Sequence, residues 1–353
     1  MRHLADMTVK SRTSVLVSCV LTTFLAANAA NGQVAVWGDN STGQTSLSGI
    51  GRTVDISCGW FHTTVLHDCG TVSVFGDSML GQHNVPAFNR PIVAVAAGGY
   101  HSAALDDSGA VICWGDNTMG QCAVPVGLGG VLEISAGGLH TLARTSNGVV
   151  GWGDNSSGQS VMPIGYGIPN SIAAGGVHSL AITSSGKVFA WGANNFGQCN
   201  VTQIPTAATK VSAGLVHSMA LGANGNVYAW GANGVGQGVV PPDVSNIVDI
   251  AAGGTFSLAL SAENKIYIWG AASEGQFDLP EMPRPIDRLV AGYQHAAISN
   301  FCEGDLNGDG VVDGTDVGIV LAGWGGSNGD VNCDGITDGT DFFMVVSSLG
   351  SCM

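Results

Sequence analysis

The stretch Asn226-Val227-Tyr228-Ala229-Trp230-Gly231, with Gly236-Gln237 just beyond it, decides how this chain folds. Val227 and Ala229 alternate with Tyr228 and Trp230, the period-two pattern of a β-strand. Asn224-Gly225 upstream is hairpin chemistry, because Asn and Gly take positive φ at little cost. The same unit recurs along the chain. Its Trp position is held by Trp37, Phe75, Trp114, Trp152, Trp191, Trp230 and Trp269, in steps of 38 or 39 residues. Gly-Gln follows at a constant interval each time, from Gly43-Gln44 to Gly275-Gln276. A run of small residues then leads to His62, His101, His140, His178, His217 and His295, with Phe256 in the remaining slot. Seven copies at this period mark a repeat architecture.

Each unit has room for four strands of five or six residues plus turns. One such sheet per repeat, arranged radially, predicts an all-β seven-bladed β-propeller over residues 31–300. Composition agrees. Glycine supplies 54 of 353 residues, about twice its usual share, which disfavours long helices. Apolar residues at 45% exclude general disorder. The repeat region begins partway through a unit, at Gln33 to Trp37, and ends partway through one, at Leu289 to Ile298. An N-terminal strand is therefore expected to complete the last blade and leave no open sheet edge.

Charge divides the chain unevenly. The net is +2 over residues 1–30, −8 over 31–301 and −9 over 302–353, where nine acids meet no base. An overall charge of −15 argues against a nucleic-acid partner. Residues 1–29 read as an export signal: bases end at Arg12, an apolar run spans Val15 to Leu25, and Ala27-Asn28-Ala29 fits a cleavage site. That run is too short for a membrane span, and Leu16-Val17-Ser18-Cys19 stands too early in it for a lipoprotein signal. The mature chain is expected to be secreted or surface-associated, and monomeric.

Chemistry is sparse on the repeats. His101-Ser102, His178-Ser179 and His217-Ser218 are adjacent on a strand and point to opposite sides, so no pair forms a dyad by itself. The histidines read as structural. Asp39, Asp77, Asp116 and Asp154 follow Trp-Gly in the first four units, where Ala193, Ala232 and Ala271 stand in the last three. These aspartates are expected to bond their own turns, or to form an acidic arc favouring a basic partner.

Small-Ala-Gly-Gly-x-His-Ser, followed by Gly-x-Val-x-x-Trp-Gly-x-Asn-x-x-Gly-Gln, resembles the regulator-of-chromosome-condensation repeat family. The short period and the Val-Pro after Gly-Gln (Val85-Pro86, Val124-Pro125, Val240-Pro241) are closest to its secreted bacterial branch, which includes a seven-bladed β-lactamase inhibitory protein. The resemblance implies the fold. The family's nuclear members act on a small GTPase, a partner an exported chain does not meet, so that activity is not carried over.

Residues 302–353 carry the clearest chemistry. Asp305 to Asp316 and Asp330 to Asp341 are two twelve-residue loops, 25 residues apart. Ca²⁺ takes six to eight hard oxygens. Asp305, Asn307 and Asp309, with Asp330, Asn332 and Asp334, fill the first, third and fifth positions. Gly310 and Gly335 provide the turn, and Val311 and Ile336 a backbone carbonyl. Asp313 and Asp338 stand ninth, and Asp316 and Asp341 twelfth, where the EF-hand pattern has Glu. Two Ca²⁺ ions are expected. Val317, Val320, Leu321 and Trp324 follow the first loop at helical spacing, and Phe342, Val345, Val346 and Leu349 the second. Phe301-Cys302-Glu303-Gly304 is too short for a helix before the first loop. Two loop–helix units without the incoming helix resemble a dockerin module. That resemblance implies calcium-dependent docking to a cohesin-type partner, with Gly314-Thr315 and Gly339-Thr340 at the recognition positions.

Of the nine cysteines, Cys302 and Cys352 bracket the module and are expected to bridge, with Cys58–Cys69 the next pair and Cys333 free. The sequence thus describes a non-enzymatic binding protein whose propeller takes a protein or glycan. The alternatives are a polysaccharide-degrading component, which would need a carboxylate pair the repeats do not single out, and a propeller inhibitor of a secreted enzyme.

Overall fold

A computed structural model describes residues 34–351 apart from 49, 51, 281–285, 303, 308 and 310. The expected export signal, Gly310 and Cys352 lie outside the described residues. Each repeat forms three antiparallel strands. In blade 1 these are an inner strand Thr53–Cys58, a middle strand His62–His67 and an outer strand Val72–Gly76. Blades 2 to 6 repeat this order, with inner strands Ile92–Ala97, Val131–Ala136, Pro169–Ala174, Ala208–Ala213 and Ile247–Ala252. Blade 7 pairs Arg288–Ala291 with His295–Ser299 and takes its outer strand, Val34–Gly38, from the other end of the repeat region. Val34 faces Ser299 and Gly38 faces His295 in that pairing. The described residues thus form seven three-stranded sheets in a propeller-like ring.

The expected fourth strand does not form, and the reason is local. The glycine after each Trp, or after Phe75 in blade 1, takes positive φ, as at Gly76 (105°), where a Cβ would lie 2.4 Å from the Phe61 carbonyl. The chain then turns around the Gly-Gln pair. The glutamine Oε1 accepts the N–H two residues before it, as Gln82 does from Leu80 at 2.9 Å. Backbone groups that a ladder would use are taken by this turn.

Each blade packs on the next through the outer-strand tryptophan. Leu180, Ile182 and Val188 of blade 4 meet Val211, Ala220 and Trp230 of blade 5. The Trp230 indole N–H reaches back to the Gln198 carbonyl of blade 4 at 2.8 Å. Trp37 does the same across the closing junction, to Gln276 at 2.8 Å.

At the axis the backbones themselves touch. Trp60 N–H donates to Gly98, Gly99 to Gly137, Gly138 to Gly175, Gly176 to Gly214, Leu215 to Gly253, Gly254 to Gly292, and Tyr293 back to Gly59, all at 3.0–3.2 Å. A Cβ on Gly98 would lie 2.5 Å from the Gly137 carbonyl and 2.3 Å from the His101 ring. That explains the run of small residues before each histidine.

The C-terminal unit holds two nine-residue helices, α1 (Gly314–Ala322) and α2 (Gly339–Ser347). Asp313 and Asp338 cap them, each within a capping box closed by Asp316 or Asp341. Val312, Val320, Val331 and Val345 form its small core. The two halves interlock. Val311–Val312 of the first loop pairs with Gly350–Ser351 after α2, and Thr337 of the second loop bonds Gly325 and Gly326 after α1.

The disulfides correct the sequence reading. Cys69 bonds Cys333, with Cα atoms 5.4 Å apart, so Cys333 is not free and Cys58 stays a buried thiol. This bridge ties the second loop to the hairpin of blade 1. Cys113 and Cys122 form a second bridge within blade 2. Cys302 is also disulfide-bonded; its expected pairing with Cys352 falls outside the described residues.

Removing residues 34–38 strips blade 7 of its outer strand and the ring of Trp37. Losing a buried Trp costs about 3–5 kcal/mol. The expected outcome is a thermal midpoint lower by about 10 °C for a ring of this size, read by calorimetry. An unchanged midpoint would mean that this strand does not close the ring.

Candidate functional site

Each histidine opens a middle strand and reaches the next blade. His62 Nε2 lies 2.9 Å from Ser102 Oγ, His101 from Thr141, His140 from Ser179 and His178 from Ser218 at the same distance, and His217 lies 3.0 Å from Ser257. His295 closes the circle on Thr63 at 2.9 Å. The sequence-adjacent pairs therefore do not meet; each serine serves the preceding blade's histidine. At the seventh junction Phe256 replaces histidine, and the facing residue is Ala296, so an apolar contact stands where the polar one would be.

These contacts are not catalytic. The hydroxyls of Thr63, Thr141, Ser179, Ser218 and Ser257 donate to the carbonyls of Gln44, Gln121, Gln159, Gln198 and Gln237, at 2.8–3.0 Å. A hydroxyl has one proton. At these five junctions the imidazole must then donate from Nε2, so it cannot take the hydroxyl proton as a general base does. Burial holds all six imidazoles well below their usual range, His62, His140 and His217 to about 4 and His101, His178 and His295 to about 3.

The turn aspartates are structural too. Asp116 accepts the Thr118 N–H at 2.9 Å and the Gln121 side-chain amide at 2.7 Å. Asp39, Asp77 and Asp154 hold Gln44, Gln82 and Gln159 in the same way. Where alanine stands instead, the buried amides of Gln198 and Gln276 have no protein partner.

The ring presents two unlike ends. Gly38 pairs with His295 and Gly76 with His62, so the Trp-Gly turns and the histidine loops share one end, the histidine face. Trp60, Phe61, Tyr100 and Tyr293 cluster there over the axis, with ring centroids 5.4–5.9 Å apart. The hairpins lie at the opposite end. There the inner strands open a funnel of about 670 Å³. Of the charged residues lining it, Asp55 pairs with Arg288 at 2.7 Å, Glu133 with Arg144 at 2.7 Å and Asp249 with Lys210, while Asp287 accepts the Phe301 N–H at 2.8 Å. Burial pushes the Asp55 carboxyl up, against the pull of Arg288.

The two C-terminal loops carry matching hydrogen bonds. Asp316 accepts from the N–H groups of Leu306, Asn307 and Asp313, and Asp341 from those of Val331, Asn332 and Asp338. Asn307 accepts from Asp309 N–H and Asn332 from Asp334 N–H. Asp309 accepts from Val311 N–H and Asp334 from Ile336 N–H. Asp330 also accepts from Gly335 N–H at 2.8 Å. Asp313 and Asp338 accept from Thr315 and Thr340 N–H at 2.7 Å; the Thr315 hydroxyl also donates to Asp313, and that bond, with the N–H bond beside it, holds the Asp313 carboxyl below its usual range. Asp305, Asp316 and Asp341 are buried, in a segment without a base. Among the described residues, the loop carboxylates do not converge as a triple within 4.8 Å; the group that does is Asp68, Cys69 and Cys333 around the disulfide. Thr315 and Thr340 are exposed.

Fold and junction chemistry together define a closed repeat β-propeller whose conserved-looking polar residues serve its blade contacts. Residues 92–121, 131–159, 170–198, 208–237 and 247–276 match the Regulator of chromosome condensation (RCC1) repeat, each running from an inner strand through its Gly-Gln turn. The chain thus carries RCC1-type repeats. Its structure is similar to Prp20p from Saccharomyces cerevisiae, at a TM-score of 0.66 and 18% identity, covering 80% of this chain and 94% of that one. Yeast RCC1 (Prp20) solved with Kap60 gives 0.65 and 18%, covering 87% and 97%. Human WBSCR16 gives 0.64 and 18%, covering 75% and 98%. No curated protein sequence matches the chain.

Two outcomes are expected from the junctions. The imidazoles are neutral in the fold and titrate near 6.5 when unfolded, so the unfolded chain binds more protons below that pH. Stability is full above about pH 6.5 and falls as pH drops toward 3–4, by about 1.4 kcal/mol per imidazole per pH unit. A thermal midpoint equal at pH 7.5 and 4.5 would contradict buried neutral imidazoles. Phe256→His alone should destabilise by about 1–3 kcal/mol, by setting a polar ring against Ala296. Adding Ala296→Ser should recover much of that loss, and additive effects in the double-mutant cycle would deny the coupling.

Proposed function

We propose that this is an exported, non-catalytic binding protein. Its propeller takes a protein or glycan ligand, and its C-terminal unit docks through calcium onto a cohesin-type partner. The observation that carries the reading is the pair of loop–helix units with matching hydrogen bonds and caps, all-oxygen in donor chemistry and free of any base. Buried carboxylates at Asp305, Asp316 and Asp341 fit a divalent cation of the calcium type. Asp305, Asn307, Asp309, Asp313 and Asp316, with the Val311 carbonyl, would hold one ion. Asp330, Asn332, Asp334, Asp338 and Asp341, with the Ile336 carbonyl, would hold the other.

Beside these loops the helices leave Leu321, Trp324, Phe343, Val346 and Leu349 exposed, Phe343 at 71%. An apolar surface of that kind on a small module suits a partner, with Thr315 and Thr340 at its edge. Protein partners are also named for the structural relatives: Prp20p with Gsp1p and histones, and yeast RCC1 with Kap60. A glycoside-cleaving site gains no support, since the aspartates of the histidine face are committed to their own turns.

Calorimetric titration of the full chain with CaCl₂ tests the reading. Two ions per chain are expected, with Asp305→Ala and Asp330→Ala each removing one and the double variant removing both. Chelator should make the 302–351 segment protease-sensitive while the ring stays resistant. No calcium heat, or heat unchanged in the double variant, would overturn it.

A further inference from the structure

The ring sorts its charge by face. All described Lys and Arg residues lie on the hairpin side: Arg52, Arg90 and Arg288 where inner strands begin, Arg144 near the end of a middle strand, Lys210 in the funnel, Lys187 and Lys265 in hairpins. Six of these seven make ion pairs there, and Lys187 stands over Phe189 at 5.0 Å. The C-terminal unit is bound to the same side through Cys69–Cys333. The histidine face has the opposite character. Its turns and loops carry Asp39, Asp77, Asp116, Asp154, Glu274 and Asp278 and no described Lys or Arg. The titratable neighbours of other kinds are exposed His83 and the phenols of Tyr100 and Tyr293. Burial raises the Tyr100 phenol, and the negative charge of Asp77 adds to that.

That face is also apolar where a contact would form. The residue before Gly-Gln is apolar in four of the seven units, where Leu80, Met119, Phe196 and Val235 are 46–59% exposed, and Met79 is 89% exposed. Trp60 lies across the axis on Gly99 and Gly138. Aromatic side chains at the centre, with Met, aliphatic side chains and charge toward the rim, is the composition of a protein interface rather than of ordinary surface. Aliphatic side chains spread along the rim suit a protein better than a polar glycan.

We infer that the histidine face is the propeller's docking surface, and that its partner is a cationic protein surface presenting Arg or Lys around an apolar patch. This rests on the binding-protein reading above and supplies the face and the partner chemistry. The six acids steer such a partner, because no base on that face offsets them. The Trp60 cluster anchors it.

The test uses the full chain to select from a random peptide library displayed on phage, with a glycan array in parallel. Enriched peptides should be rich in Arg or Lys with apolar neighbours, and selected synthetic peptides should bind more weakly as salt rises. Glu274→Lys with Asp278→Lys should weaken them about tenfold or more, at unchanged thermal midpoint. Trp60→Ala should cost about thirtyfold. Asp243→Lys on the hairpin face should change nothing. Enriched peptides that are acidic or neutral, that ignore the two reversals, or that respond only to Asp243→Lys overturn the face and its partner while leaving a binding propeller. Glycans bound in place of peptides overturn the protein class. No enrichment on either array overturns both this inference and the reading beneath it.

Discussion

Seven backbones meet at one axis within hydrogen-bonding distance, and most of the ring follows from that approach. The inner loops must shed their Cβ atoms, which fixes the glycines at 59, 98, 137, 175, 214, 253 and 292. The space a Cβ would take is filled by the ring that opens the middle strand, whether imidazole or Phe256. The imidazole is thereby sealed from water. It stays neutral and keeps one partner, the hydroxyl of the next blade. At five of the six junctions that hydroxyl donates a hydrogen bond to a Gln carbonyl, which at most of them also accepts from a Trp indole. Gln121, for example, takes Thr141 and Trp152 together at 2.8 Å. Small-residue run, histidine, serine, tryptophan and glutamine are thus one connected arrangement repeated around the axis, and their fixed spacing in the sequence is its trace.

The closing junction shows that the arrangement tolerates exchange only in pairs. Phe256 cannot donate, and Ala296 has no hydroxyl left waiting. In the polar pair the imidazole Nε2 and the facing hydroxyl satisfy each other, although Nδ1 is buried without a partner, and in the apolar pair neither side chain brings a polar group. A lone change at either position would set a polar group against an apolar side chain.

Legibility in the sequence followed the range of the interaction. Repeat number and the closing strand could be read because each copy states the same local pattern. Strand number could not, since a side chain, the Gln Oε1, takes backbone N–H groups that a fourth strand would need. The aspartates were readable as turn residues, but their hold on the glutamine amide needed the fold. Cys69 and Cys333 are 264 residues apart and belong to units of different composition, so no spacing rule joins them. The loops were legible as a donor pattern. Their interlock, in which each loop pairs with the segment after the other's helix, is tertiary and left no local sign.

Charge placement gives the two units a common logic. The ring's bases are gathered on the hairpin side and largely spent in pairs, three of them at the funnel that Phe301 helps to line. Arg52, paired with Asp68, also stands 5.9 Å from the Phe301 ring, where the chain leaves the propeller. A segment of nine acids and no base meets least repulsion on that side and most on the histidine face, within a Debye length of roughly 10 Å. Electrostatics therefore favours the side on which Cys69 awaits Cys333. Once formed, the bridge holds one loop of the acidic unit on the ring whatever that unit's own fold, and leaves the opposite face clear. The covalent tie and the charge sorting select the same geometry by different physics: one acts through chain connectivity and is indifferent to salt, the other acts through space and is screened by it.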